Sequence, residues 1–189
     1  MNRIMADPIQ NRGLSSLEVR KWVTEYICTV IKPRTVFDLG CGIGLYGACA
    51  HVWYKYECKW IGLDGFLPYL MQDQVRQYYA DLIYAKIEDV LDGTIQVKAD
   101  LILCMDVVEH FEKKAALRLL ELPGRMIVST PLFQYPQEKV EGNELERHRC
   151  WFDEQEFYET DLGYRRICKF PHVAEMGWKG DIAAFEKGA

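Results

Sequence analysis

Four glycines follow an apolar run and an aspartate in TVFDLGCGIGLYG, residues 35–47. Glycine at that density can carry chemistry, because a backbone without Cβ approaches a ligand closely. Two registers compete. From Gly42 the stretch fits G-x-G-x-x-G with Gly44 and Gly47, the fingerprint of dinucleotide binding. From Asp38 it fits D-x-G-x-G-x-G, with Gly40, Gly42 and Gly44. The first register buries Asp38 and Gly40 inside a strand, where a lone carboxylate and a glycine are both unfavourable. The second ends the strand at Phe37 and leaves Asp38 at its carboxyl tip, and is preferred. Asp64 closes the next β-rich run, where its carboxylate can accept both hydroxyls of a ribose.

Two further groups of residues invite chemistry. Asp106, Glu109 and His110 stand at i, i+3 and i+4, so on a helix they share one face. They read as a capping box, with Asp106 as N-cap, Glu109 at N3, His110 on the helix shoulder and no metal. Downstream, QEKVEGNELERHRCWF (residues 137–152) is polar and too irregular for a sheet element. There His148 can act as a base, Arg147 or Arg149 can hold an anion, and Tyr135 with Trp151 can form an aromatic wall. Trp151 reads equally well as a hydrophobic staple, and His148 as a solvated surface residue.

These residues need elements to position them. Ser15-Ser16-Leu17-Glu18 matches a capping box, and Leu17, Trp22, Ile27 and Ile31 form an apolar stripe that Pro33 ends. Strands are expected at Thr35–Phe37, Lys59–Leu63, Leu82–Ala85, Asp100–Met105 and Met126–Ser129, with two more at Tyr164–Phe170 and Asp181–Glu186. Helices are expected at Leu45–Val52, Pro68–Tyr79 and Glu109–Glu121, and from Asp153 with Glu156 as capping partner. This alternation describes an α/β fold: a Rossmann-like, mostly parallel sheet with helices on both faces and ligands at the carboxyl ends of its strands.

The chain has 189 residues, 49% of them hydrophobic, enough for one core; residues 1–189 read as a single domain. Residues 1–33 form its N-terminal helical segment. The formal charge is −5, from 28 acids against 23 bases that are spread rather than clustered, which argues against nucleic acid as a partner. A cytoplasmic protein is expected, since no signal peptide or membrane span is visible. The seven cysteines include no C-x-x-C pair and read as reduced, mostly buried thiols.

Taken together, VFDLGCGIG, IGLDGF, AKIEDV and ADLILCMDVVEHF resemble, in order, the four motifs of class I S-adenosylmethionine-dependent methyltransferases. The resemblance implies a seven-stranded sheet whose last strand is antiparallel. It implies S-adenosylmethionine as cofactor, with Asp38 facing the methionine amino group and Gly40, Gly42 and Gly44 forming the turn along it. Asp64 would take the ribose, Ile87 and Glu88 would lie beside adenine, and Met105 would pack at the end of strand four. Lys86 stands where the family often carries Asp. Asp106, Glu109 and His110 resemble the acid-x-x-Glu-His pattern of ubiquinone-pathway O-methyltransferases, where such a cluster binds a divalent metal. Residues 131–152 fall where the family builds its acceptor pocket, making His148 and His110 the catalytic candidates. A small-molecule acceptor is expected: strand four ends Cys-Met-Asp-Val rather than in the Asx-Pro-Pro-aromatic motif that grips an exocyclic amine, and no Pro-Cys dipeptide is present. The alternatives are a non-catalytic subunit of the same fold and an NAD(P)-dependent oxidoreductase. Tyr135-x-x-x-Lys139 superficially supports the oxidoreductase, but Pro136 breaks the helix such a pair requires. The oligomeric state is not legible.

Overall fold

The computed structural model describes residues 16–134, 136–140, 142–173 and 179–188. Seven strands form one sheet: β1 Thr35–Leu39, β2 Lys59–Asp64, β3 Asp81–Tyr84, β4 Leu101–Met105, β5 Met126–Pro131, β6 Arg165–Val173 and β7 Lys179–Lys187. Their spatial order is β3-β2-β1-β4-β5-β7-β6. Strands β1 to β5 pair in parallel, and β7 runs antiparallel to both β5 and β6. The chain leaves β1 towards β2 on one side and reaches β4 on the other, so a crevice opens at the carboxyl end of β1.

Helices α1 (Leu17–Tyr26), α2 (Leu45–Tyr54), α3 (Leu67–Leu70) and α4 (Asp73–Tyr78) cover one face of the sheet; α5 (Glu88–Leu91), α6 (Lys113–Leu120) and α7 (Glu154–Glu159) cover the other. Side chains alternate across a strand, so Val36, Leu101 and Leu103 join the first core while Phe37, Ile102 and Cys104 join the second. This is why β1 and β4 read as nearly continuous apolar runs. Asp38 falls on the face of Val36, towards α4.

Several expectations need correction. Strand β1 runs on to Leu39, so Asp38 lies inside it and not at its tip. The carboxylate is tolerated there because it accepts a hydrogen bond from the Tyr79 hydroxyl. The helix expected over Pro68–Tyr79 is two short ones, α3 and α4. Helix α1 buries Val19, Val23 and the following Ile27, while Leu17, expected on the stripe, is 58% exposed. Ser15 of the expected capping box lies outside the described residues; Ser16 Oγ donates to the Glu18 carboxylate. The Asp153–Glu156 capping box is present, and the staple beside it is Phe152 against Phe157, not Trp151.

The helix expected from Glu109 begins only at Lys113; Val108–His110 is a single 3₁₀ turn. Asp106 has φ +55° and accepts from the Ser129 hydroxyl at 2.5 Å, so it does not cap a helix, and the capping-box reading of Asp106 and Glu109 is overturned. The physical reason is the sharp left-handed exit from β4, which turns Glu109 inward. All seven cysteines are free thiols, and six of them are buried.

Candidate active site

The glycine turn is built by backbone strain that only glycine accepts cheaply. Gly40, Gly42 and Gly44 have φ of +69°, +53° and +73°. A Cβ on Gly40 would also stand 2.6 Å from Val107 Cγ2. Gly40→Ala is therefore expected to lower folding stability by about 1–2 kcal/mol from the left-handed φ alone, read as a shift in denaturant midpoint. Gly47, by contrast, is an ordinary helical residue of α2, so the D-x-G-x-G-x-G register describes the turn.

Asp64, at the end of β2, ties the turn down. Its carboxylate accepts the N–H of Gly42 and that of Phe66, each at 2.8 Å, and it is 8% exposed. Burial raises its pKa, and the two N–H donors oppose that rise.

A cavity of about 310 Å³ opens over this turn. Asp38, Gly40, Gly42, Asp64, Ile87, Glu88 and Met105 all line it. Gly44 does not line it; it stands behind, against Tyr79 and Val75. Lys86 also lines the cavity. The sequence reading missed the cover. Asn143, Leu145 and Glu146 close the cavity from the segment after β5, with Tyr69 opposite. The Tyr69 hydroxyl donates to the Glu146 carboxylate at 3.1 Å. No local pattern marks these residues, since the contact joins positions 77 apart in the chain.

A second cavity of about 440 Å³ adjoins the first and is lined by Glu109, Phe133, Gln134, His148, Arg149 and Trp151 among others. Arg149 lines both cavities. Trp151 is 53% exposed and belongs to this wall; Tyr135 lies outside the described residues. Arg147 is engaged by Glu138 and Glu144, at 3.0 and 3.2 Å.

Between the cavities, Glu109, His110 and His148 bring one ligand atom each to within 4.8 Å of one another. Thus His148 is half-buried rather than solvated, and it takes the place that the sequence reading gave to Asp106. The backbone enforces this: the N–H groups of Arg149 and Cys150 both donate to the Glu109 carbonyl, at 2.8 and 3.1 Å. Glu109 is 3% exposed, accepts from the Thr130 hydroxyl at 3.2 Å, and has its pKa pushed well up by burial and by the Asp106 carboxylate. The imidazole of His110 is pushed down to about 4 by burial, so it is neutral at neutral pH. Its Nδ1 lies 3.3 Å from the Arg147 carbonyl, which favours the Nδ1–H tautomer and leaves Nε2 as the lone-pair donor. The donor set of one carboxylate and two imidazoles suits a divalent transition metal.

No family model matches the chain. Among curated proteins, ajmaline N-methyltransferase of Rauvolfia serpentina is 34% identical over 87 residues, covering 44% of this chain and 29% of that protein. The chain thus matches less than a third of that relative's length. Among solved structures, magnesium protoporphyrin IX methyltransferase of Synechocystis, with bound S-adenosylmethionine, superposes with TM-score 0.58 at 14% identity, covering 99% of this chain and 87% of that one. The methyltransferase domain of bacterial CtHen1 superposes with TM-score 0.54 at 19% identity, covering 90% and 100%. The 16S rRNA methylase RmtB does so with TM-score 0.54 at 20% identity, covering 92% and 63%. The strand order, the reversed β7 and these likenesses together identify the fold as that of the class I S-adenosylmethionine-dependent methyltransferases.

Proposed function

We propose that the chain transfers the methyl group of S-adenosylmethionine to an oxygen or nitrogen atom of a small-molecule acceptor. One observation carries this reading. The cavity over the glycine turn meets the second cavity across Glu109 and His110, which are neighbours in sequence and line different cavities. In this arrangement the cofactor lies over β1 and β2, with Asp38 towards its ammonium group, Gly40 and Gly42 along its methionine, and Asp64 on its ribose. Ile87 and Glu88 flank the adenine, and Met105 packs beneath. The acceptor occupies the second cavity against Trp151 and Phe133. Transfer is an in-line displacement: the sulfur–methyl bond breaks as the bond to the acceptor atom forms, so alignment and removal of one acceptor proton are the protein's tasks. His148 is our candidate for that proton, with His110 beside it at a ring separation of 5.0 Å.

As the alternative role for the same residues, we propose that Glu109, His110 and His148 hold a divalent cation, in which case His148 is a ligand and not the base. When bound, such an ion acts as a Lewis acid that orients an acceptor hydroxyl and lowers its pKa. The residues themselves supply a neutral imidazole at His110 and, at Glu109, a buried carboxyl group that no cationic side chain pairs with among the described residues.

The acidic net charge of −5 and the size of the second cavity, about 440 Å³, favour a small acceptor over a nucleic acid. No described helix is long and apolar enough to cross a membrane. The free thiols are our reason for assigning the chain to the cytoplasm, and its one seven-stranded sheet is our reason for reading it as a single domain. The test is calorimetry with S-adenosylhomocysteine and with NAD, followed by incubation of cell extract, split into small-molecule and RNA fractions, with methyl-labelled cofactor. Heat with S-adenosylhomocysteine only, and label in small molecules, is expected. Heat with NAD only would overturn the cofactor, and label confined to RNA would overturn the acceptor.

A further inference from the structure

Tyr79 directly follows α4 and belongs to none of the cofactor motifs, yet it reaches the centre of the glycine turn. It is 5% exposed, and its hydroxyl donates to Asp38 Oδ2 at 2.5 Å while accepting the Gly47 N–H at 3.3 Å. The hydroxyl is the single hydrogen-bond partner of the Asp38 carboxylate among the described residues. The ring itself is wedged against the turn: a Cβ on Gly44 or Gly47 would stand 2.9 or 2.7 Å from Tyr79 Cε2. Trp60 of β2 backs it edge-on at 5.9 Å. Glycine at positions 44 and 47 is thus matched to this aromatic ring.

Among the described residues, no cation faces Asp38. The titratable groups around it are the Asp64 carboxylate from β2, the Cys41 thiol from the turn, the Cys104 thiol from β4 and Tyr79 itself. A carboxylate buried among acids, with one phenol donor, awaits a cation from outside the protein. We propose that Tyr79 is a positioning residue of the cofactor site, whose hydroxyl holds the Asp38 carboxylate as acceptor for the cofactor's ammonium group. This rests on the cofactor reading above. Burial raises the Asp38 pKa to about 7, the Tyr79 hydrogen bond opposes that rise, and Asp64 adds to it. Without the hydroxyl, Asp38 ionises at still higher pH, and a protonated Asp38 no longer pairs with an ammonium ion.

The experiment is calorimetric titration of the full chain with S-adenosylhomocysteine between about pH 6 and 8.5, a window that brackets the Asp38 ionisation. Wild type, Tyr79→Phe, Asp38→Asn and the double variant are compared. Phenylalanine keeps the ring packing, and the melting curve of each variant checks that it folds. Tyr79→Phe is expected to weaken binding about 10- to 100-fold near pH 7. The deficit should shrink towards pH 8.5 as Asp38 ionises in the variant too. In Asp38→Asn, affinity should lose this pH dependence, and removing the Tyr79 hydroxyl should then cost little more. Unchanged affinity in Tyr79→Phe, or a loss equal at every pH and additive with Asp38→Asn, would overturn the inference while wild-type binding upholds the cofactor reading. Failure of the wild type to bind would overturn both.

Discussion

Titration of the metal-free chain with Co²⁺ is expected to reveal one site per chain, and Glu109→Gln or His148→Ala to weaken it by at least about 100-fold, since loss of an outer-shell partner alone costs about 10- to 100-fold. The expectation comes from convergence. Glu109 sits on the turn after β4 and His148 is 39 positions further along the chain, yet their donor atoms and that of His110 lie within 4.8 Å of one another. Glu109 is buried beside Asp106, an arrangement that is costly for two carboxylates and is relieved by a cation. Both variants should keep their affinity for S-adenosylhomocysteine, because neither residue touches the glycine turn. If turnover of the acceptor depends on the ion, a chelator should abolish it; if His148 instead removes the acceptor proton, His148→Ala should lower turnover about 10²- to 10⁴-fold with or without chelator. Absence of Co²⁺ binding in the wild type would sink the cation reading and leave His148 as a base alone.

Asp64→Ala should weaken S-adenosylhomocysteine binding by about 1.5–3 kcal/mol, the size of hydrogen bonds to a charged group. The same change strips the Gly42 and Phe66 N–H groups of their shared acceptor. Stability should therefore fall as well, by about 1–3 kcal/mol for an unsatisfied buried group. Asp64→Asn removes the negative charge at the ribose and leaves one oxygen to accept one of these two N–H groups, since Gly42 bonds Oδ2 and Phe66 bonds Oδ1. Calorimetry beside chemical denaturation reads both affinity and stability. Unchanged ligand affinity in a destabilised Asp64→Ala would make Asp64 a clamp on the glycine turn and nothing more.

The lining of the cavity over the glycine turn was legible where its signals are local. Gly40, Gly42 and Gly44 take left-handed φ values within one short loop, a conformation that glycine adopts at least cost. Asp64 was read in the same way, since parallel strands end on one side of a sheet and it closes an apolar run there, whereas Ile87, Glu88 and Met105 followed from the resemblance to the family motifs; all four line the cavity. The alternation of strand and helix determined the sheet in the same way. What the sequence did not contain is what depends on side chains meeting from distant positions. A carboxylate inside β1 was read as too costly, since the donor that satisfies it, Tyr79, lies 41 residues away. The spacing of Asp106, Glu109 and His110 suggested one helical face, but the left-handed turn at Asp106 removed that helix, and the packing of residues 148–150 on the Glu109 carbonyl put His148 into the group instead. Periodicity reports only on neighbours along the chain; which buried polar groups satisfy one another is decided by the tertiary fold, because burial makes an unpartnered carboxylate or imidazole too costly to leave alone.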